Sequence, residues 1–240
     1  MREYWKEYWN EISIDTDEQS QVGRTISKVP VSADVFAETV IWVTERMKIN
    51  EDSHILELCC GNGNWTLPLS NMVRSITAID FSEPLIKVLK QRCASENKMN
   101  IDVKLQDIAT IDSMNYTKIN HVFLYAAIQY FSEKETILLF EKAYNILKTS
   151  CDEAAGNKNG VFYLGDIPDR QRLWNFANTK DYTKMYFDSV KNETPAIGTW
   201  FMQANLKKLA EYTGFSACEI IEQPDWQINN KYRFDMRMEV

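Results

Sequence analysis

The residues best equipped for chemistry cluster between Glu57 and Asp80. Residues 55–66 read ILELCCGNGNWT, and the segment ITAID that follows ends on Asp80. A short apolar run (Ile55, Leu56, Leu58) carries an acid and leads through two small cysteines into a Gly-x-Gly turn, after which a helical pattern begins. That order specifies a buried parallel strand feeding a tight glycine turn. A second apolar run, Ile76 to Ile79, closes on Asp80, the place of a ribose-binding carboxylate in a mononucleotide-binding α/β half. The details discriminate between riboses. A nicotinamide fingerprint needs a third small residue, so that the helix packs closely and a pyrophosphate sits at its N-terminus. Counted from Gly61, that place holds Thr66, preceded by bulky Trp65. Glu57 would repel a pyrophosphate and suits a cationic cofactor instead.

The acid followed by Cys-Gly-x-Gly, with Asp80 in register, resembles motif I of the class I S-adenosylmethionine (SAM)-dependent methyltransferases. The resemblance implies roles for particular residues. Glu57, Cys60, Gly61, Asn62 and Gly63 would cradle the methionine part, and Asp80 with Phe81 would hold the ribose. Asp107, after the third strand (IDVKLQD), would receive the adenine amino group while Ile108 packs on the ring; as an alternative, Asp107 is simply a helix cap. Leu124 and Tyr125 would line the methyl-transfer site after the fourth strand. The Asn/Asp-Pro-Pro-aromatic pattern of enzymes that methylate base amines is absent at this point. So is the acid that metal-dependent catechol-type enzymes place there, whose further oxygen ligands would complete an octahedral magnesium site. The expectation is a metal-independent enzyme that releases S-adenosylhomocysteine (SAH).

A general base is harder to find. His54 and His121 are the two histidines, and both precede strands, whereas ligands bind beyond the carboxyl ends of such sheets. Both read as structural. A base must then come from Tyr125, Tyr130, Asp166 or Asp169, with Tyr125 and Asp166 the catalytic candidates, unless the acceptor is already ionised and needs only alignment. Positioning alone supplies ~7–11 kcal/mol in favourable cases. Recognition of the acceptor falls to variable pieces of the chain. Arg170 and Arg172 stand at the start of an aromatic insertion with Trp174, Phe176, Tyr182, Tyr186 and Phe187, where arginine and aromatics could clamp an anion or a sugar nucleotide. The competing reading is that these aromatics only pack the insertion onto the domain. Arg24, in QVGRT, reaches either the cofactor carboxylate or the substrate. Arg170, Arg24, Tyr130 and Tyr8 form the candidate substrate-binding set.

The elements that must position these groups alternate strand and helix, which signals a parallel sheet covered on both faces. Strands are expected at 54–58, 75–80, 101–106, 119–125, 160–165, 217–223 and 232–239. Helices are expected near 31–48, 65–72, 84–97, 133–147, 168–178, 181–190 and 198–213, with Ser32 and Ser82 as N-caps and Gly214 as a left-handed C-cap. The fold class is α/β, a Rossmann-like seven-stranded, mostly parallel sheet with a C-terminal antiparallel hairpin. One domain of 240 residues is expected, with an aromatic cap segment over 1–30 and a helical substrate-side insertion over 166–199. Tyr4, Trp5, Tyr8 and Trp9 recur at helical spacing, either as an amphipathic helix packed on the domain or as a lid over the site. A polar stretch, Cys151–Asn159, reads as a surface loop.

Composition narrows the function. Apolar residues make up 45% and charged residues 25%, as in ordinary soluble domains. The formal charge of −7 argues against a nucleic-acid partner. Five cysteines without paired spacing suit a reducing compartment, so the expected location is the cytoplasm, with no membrane partner. The combination of QVGRT, LCCGNG, IDFSEPLI, GDIPDR, GTWF and YRFD resembles methyltransferases of bacterial surface-polysaccharide and related pathways. That implies a small sugar-linked, phosphorylated or acidic acceptor methylated on oxygen, with the protein a monomer or homodimer. An RNA or protein methyltransferase, or a catalytically silent SAM-binding module, is the alternative.

Overall fold

A computed structural model describes residues 2–26, 29–150, 160–194 and 197–240. Its centre is a seven-stranded sheet in the order β5-β4-β3-β6-β7-β9-β8. In chain order these strands are β3 (His54–Leu58), β4 (Ser75–Asp80), β5 (Ile101–Leu105), β6 (His121–Tyr125), β7 (Val161–Pro168), β8 (Ala217–Glu222) and β9 (Arg233–Glu239). The first five run parallel, and β9 enters antiparallel between β7 and β8. A two-residue hairpin, β1 (Thr25–Ile26) with β2 (Val29–Pro30), lies outside the sheet and had no counterpart in the sequence reading. The expected polar loop over 151–159 falls outside the described residues.

The central strands are apolar almost throughout because both faces are covered. Leu56, Leu58, Val122 and Leu124 point to one layer, formed by α6 (Glu133–Ser150) and α9 (Gln203–Thr213). Ile55, Phe123 and Tyr125 point to the other, formed by α3 (Ala33–Met47), α4 (Thr66–Ser70) and α5 (Glu83–Ser95). This period-two alternation corrects one expectation: Leu124 faces away from Tyr125, and its side chain is wholly within the core.

The caps hold in part. Ser32 Oγ accepts from the Val35 N–H, and Gly214 takes φ +110 at the end of α9. Ser82 precedes α5, but its hydroxyl donates to the Trp9 carbonyl at 2.7 Å and makes no side-chain cap. That bond ties α1 (Arg2–Asn10) to the end of β4. Two helix boundaries move. β7 continues to Pro168 through an irregularity in its pairing between Leu164 and Ile167, where Asp166 has φ +59. The helix expected from residue 168 is replaced by a short 3-10 turn at Arg170–Arg172 and by α7 (Leu173–Phe176), and α8 (Lys180–Lys191) follows. α9 begins at Gln203 instead of residue 198, because residues 198–201 are tied to other parts of the chain, the Phe201 N–H donating to Pro168 O at 2.9 Å. The Thr199 N–H donates to Gln129 O at 2.8 Å, and a Cβ at Gly198 (φ +114) would lie 2.2 Å from that same oxygen.

Candidate functional site

At the carboxyl ends of β3, β4, β6 and β7 three cavities follow one another, of about 110, 80 and 100 Å³. The first is an apolar slot between Trp5, Phe81, Ile108 and Tyr130, with Cys59 and Asp107 in its wall. The middle one is lined by Cys60, Gly61, Asp80, Arg24, Tyr125 and Ala126, and shares Trp9, Cys59, Phe81 and Tyr130 with the slot. The outer one adds Gln129, Asp166, Gln227, Asn229 and Arg233, and shares Arg24, Tyr125, Ala126 and Tyr130 with the middle. Strand ends in a parallel sheet converge on one rim, so residues far apart in sequence meet there.

Asp80 carries the middle cavity. Its Oδ2 accepts from the Gly61 N–H at 2.9 Å and its Oδ1 from the Ser82 N–H at 2.8 Å. Burial pushes its carboxyl upward, and these backbone donors pull it back. The carboxylate thus braces the glycine turn while keeping lone pairs for a ligand's hydroxyls. Gly61 (φ +56) lines the cavity. Gly63 does not, and its missing Cβ serves packing instead: the atom would stand 2.3 Å from Leu89 Cδ1. Asn62 also turns away from the cavities, donating to Glu18 O and Gln21 Oε1 and so fastening α2 (Glu18–Gln21) to the turn.

Glu57 is 2% exposed in the body of β3 and lines none of the three cavities. Burial, with Asp80 adding to it, pushes its carboxyl up to about 8. Its carboxyl is therefore placed inside the core, beside the cavities and not in them, unlike the direct contact with the methionine part that the resemblance implied. The reason is again alternation: Glu57 faces the layer of Ile55, toward α4. Asp107 combines both of its expected readings. Its Oδ1 accepts from the Ala109 N–H at 2.9 Å as a cap, and its Oδ2 pairs with Lys6 Nζ at 3.0 Å at the edge of the slot.

Tyr125 lies across Gly165, where a Cβ would approach its ring to 2.1 Å. Burial, then Asp235 and Asp166, raise its hydroxyl well above the ordinary tyrosine range. Tyr130 is raised by burial too, with its ring 4.4 Å from that of Trp5. Both phenols stay protonated near neutral pH. Asp166 is buried at the outer cavity, with Arg233 Nη1 3.3 Å from its Oδ2 and the Asn229 and Gln223 amides donating to it. Asp169 is spent on the Gln171 N–H, on Gln203 and on Arg172. The histidines lie at the amino ends of their strands. His121 bridges Asn120 and Met47 O, with burial lowering its pKa to about 4, and His54 contacts Ser75 Oγ at 2.6 Å.

The insertion arginines are placed away from these cavities. Arg172 forms a two-pronged pair with Glu222 at 2.6 and 2.7 Å, and Arg170 reaches Tyr186 Oη in a separate open groove. The insertion aromatics mainly pack on one another, as with Trp174 and Phe187 or Phe176 and Tyr182. Tyr8 is half exposed, edge-on to Trp9 and outside the cavities, whereas Trp5 and Trp9 on the same helix form their wall. The spacing of Trp5 and Trp9 could have revealed this. Gln129, Gln227, Asn229 and Arg233 carried no such signal beyond the YRFD segment. Among the described residues no group of three or more His, Cys, Asp or Glu side chains could hold a metal, and no helix is long and apolar enough to cross a membrane.

Comparison with known proteins agrees with this geometry. Residues 55–150 match the family model of a methyltransferase domain. The demethylmenaquinone methyltransferase of Lactococcus lactis is 33% identical over 103 residues, covering 40% of this chain and 36% of that protein. The Staphylococcus epidermidis protein of the same name is 38% identical over 66 residues, covering 25% and 27%. The chain thus spans about a third of the length of these curated relatives. Among solved structures, phosphoethanolamine N-methyltransferase 1 of Haemonchus contortus, in complex with phosphoethanolamine and SAH, superposes with a TM-score of 0.69 at 17% identity, covering 100% of this chain and 49% of that one. Magnesium protoporphyrin IX methyltransferase of Synechocystis PCC 6803 with bound SAH gives 0.59 at 12% identity, covering 99% and 97%. These likenesses show the fold, a Rossmann-like methyltransferase sheet.

Proposed function

We propose that the protein is a SAM-dependent methyltransferase acting on a small-molecule acceptor. The observation that carries this is the unbroken row of cavities along the sheet rim, from an apolar slot past a buried acid to a polar chamber. The residues fit SAM part by part. The slot of Trp5, Phe81 and Ile108 suits a purine, with Asp107 at its edge; Asp80 suits the ribose hydroxyls; Gly61 and Cys60 leave room for the methionine chain. SAM, when bound there, would supply a sulfonium-activated methyl group for capture by an acceptor oxygen, the C–S bond breaking as the O–CH3 bond forms and SAH leaving. The chain's own part is to orient and desolvate. Tyr125 and Ala126 stand where the middle and outer cavities meet, and Tyr130 closes the same side. With both phenols protonated and Asp166 engaged by Arg233, an acceptor oxygen that arrives already ionised fits this site best. A sugar-linked, phosphorylated or acidic metabolite, methylated without a metal in the cytoplasm, remains the reading, and a surface-polysaccharide pathway is one source of such an acceptor.

Calorimetric titration of the folded protein with SAM and SAH, with NADH as control, tests the cofactor. Binding of both adenosyl ligands and not of NADH is the expected result. Binding of NADH, or of none of the three, would overturn it.

A further inference from the structure

The outer cavity has a feature that methyl transfer alone does not require. Four buried polar atoms around it have no protein partner: Arg24 Nε, Arg233 Nε, Gln227 Nε2 and Gln129 Oε1. Gln129, Gln227 and Arg233 are only 3%, 5% and 7% exposed. A buried donor or acceptor left unmade costs ~1–3 kcal/mol, so such atoms gathered on one chamber need a reason. Gln129 is fixed by its own amide, which donates to Ala126 O at 2.7 Å and leaves Oε1 as the unsatisfied atom. The set is three donors and one acceptor.

The charge balance points the same way. Arg24, Arg233 and Asp166 are the lining groups that can be charged near neutral pH, since burial keeps Tyr125 and Tyr130 protonated. Asp166 offsets Arg233. Arg24 faces the rings of Phe36, Trp65 and Tyr125 at 4.9–5.7 Å, and its guanidinium charge is not offset by any of them. Behind the wall, Asp235 is fully buried and engaged by Tyr163, Gln223 and the Asp166 N–H. The lining groups therefore carry one more positive than negative charge, together with an excess of donors, a combination that recognises an oxyanion.

Resting on the methyltransferase reading, we infer that the outer cavity is an anion subsite for the acceptor. Arg233 Nε and the Gln227 amide hold a carboxylate or phosphate group of that molecule, and Arg24 supplies the compensating charge from the boundary with the middle cavity. Gln129 Oε1 accepts from a hydroxyl or amine next to the anionic group.

The test uses full-length protein saturated with SAH and titrated with matched pairs: glycerol phosphate against glycerol, and lactate against propylene glycol. Binding is read by calorimetry or ligand-observed NMR. The charged member of at least one pair binds and its neutral partner does not, and the pair that responds tells phosphate from carboxylate. Arg233→Gln and Gln227→Leu each weaken anion binding roughly tenfold or more. Both leave SAH affinity intact, because neither residue lines the middle cavity. Gln227 bears no ion pair, so its variant reports even where Arg233→Gln fails to fold. Equal binding of neutral and charged members, no binding of either anion, or unchanged anion affinity in the folded variants would overturn the subsite. If SAH itself does not bind the wild type, the cofactor reading falls, and the same titrations on ligand-free protein still decide the anion site.

Discussion

Gly63→Ala separates two meanings of a glycine motif. The wild-type residue sits at φ +86, and an added Cβ would stand 2.3 Å from Leu89 Cδ1 and 3.3 Å from Leu89 Cγ. Leu89 is completely buried, so it cannot swing into solvent to make room. Left-handed backbone costs a non-glycine residue about 1–2 kcal/mol, and overpacking a core adds about 1–3 kcal/mol, which together give roughly 2–5 kcal/mol. In a chain of this size each kcal/mol lowers Tm by about 2–4 °C, so the expected loss is roughly 4–20 °C. SAH affinity of the folded fraction stays at the wild-type value, since Gly63 touches none of the cavities. Gly61→Ala provides the contrast. Gly61 lines the middle cavity, and its Cβ would meet Val22 Cγ1 at 3.0 Å, so stability and SAH affinity fall together. Thermal melts and SAH titrations on the two variants form the assay. A Gly63→Ala protein with wild-type Tm and abolished SAH binding would refute the packing argument and return this glycine to the ligand.

Three further outcomes are expected. Asp80→Asn removes a charged acceptor from the middle cavity and lowers SAH affinity roughly 10- to 150-fold, the range for hydrogen bonds to a charged group; unchanged affinity in a titration of the folded variant would remove the ribose assignment. Glu57 is raised from 4.5 to about 8 in the folded chain. Between those pH values the unfolded state loses a proton that the folded state keeps, so wild-type stability falls with rising pH by up to about 1.4 kcal/mol per unit. Glu57→Gln removes that slope, and urea midpoints for both proteins across the window check it, with parallel curves counting against the shift. Arg172→Ala breaks a partly exposed pair with Glu222 and a contact at 3.3 Å to the buried Asp169, and lowers stability by about 1–3 kcal/mol. A large loss of SAH affinity in the same variant would show that the insertion reaches the site.

Much of the frame was legible because local rules and the global fold agree. The seven strands follow from apolar runs bounded by turn residues, and Asp80 and Gly61 sit where a strand-turn-helix-strand unit must put them. The misreadings share a physical cause: side-chain direction and ownership of polar groups are decided by tertiary contacts. Leu124 and Glu57 were assigned to the site from their place in a motif, yet a shift of one residue along a strand reverses the face. Ser82 was read as a cap, and its hydroxyl went to the Trp9 carbonyl 73 residues away. Arg170 and Arg172 suited the mouth of the site by position along the chain, but β7 runs on to Pro168 and their guanidinium groups are taken by Tyr186 and Glu222. Arg233 and Gln227 gave little signal because their neighbours in the cavity come from three other parts of the sequence.

The two ends of the row of cavities are built from different stretches of chain. Cys59–Gly61, Asp80 and Asp107, which shape the slot and middle cavity, fall within residues 55–150, the part shared with the family model. Most of the outer chamber is supplied by residues 22–39 and 227–233, on either side of that part. Substitutions at Gln227, Ile228 or Asn229 can therefore reshape what the chamber admits without touching Asp80 or the glycine turn. Divergence after gene duplication has a ready route here: the methyl-donor machinery stays fixed while the flanks drift to a new acceptor. The names of relatives matched through the middle of the chain then carry information about the donor and little about what receives the methyl group.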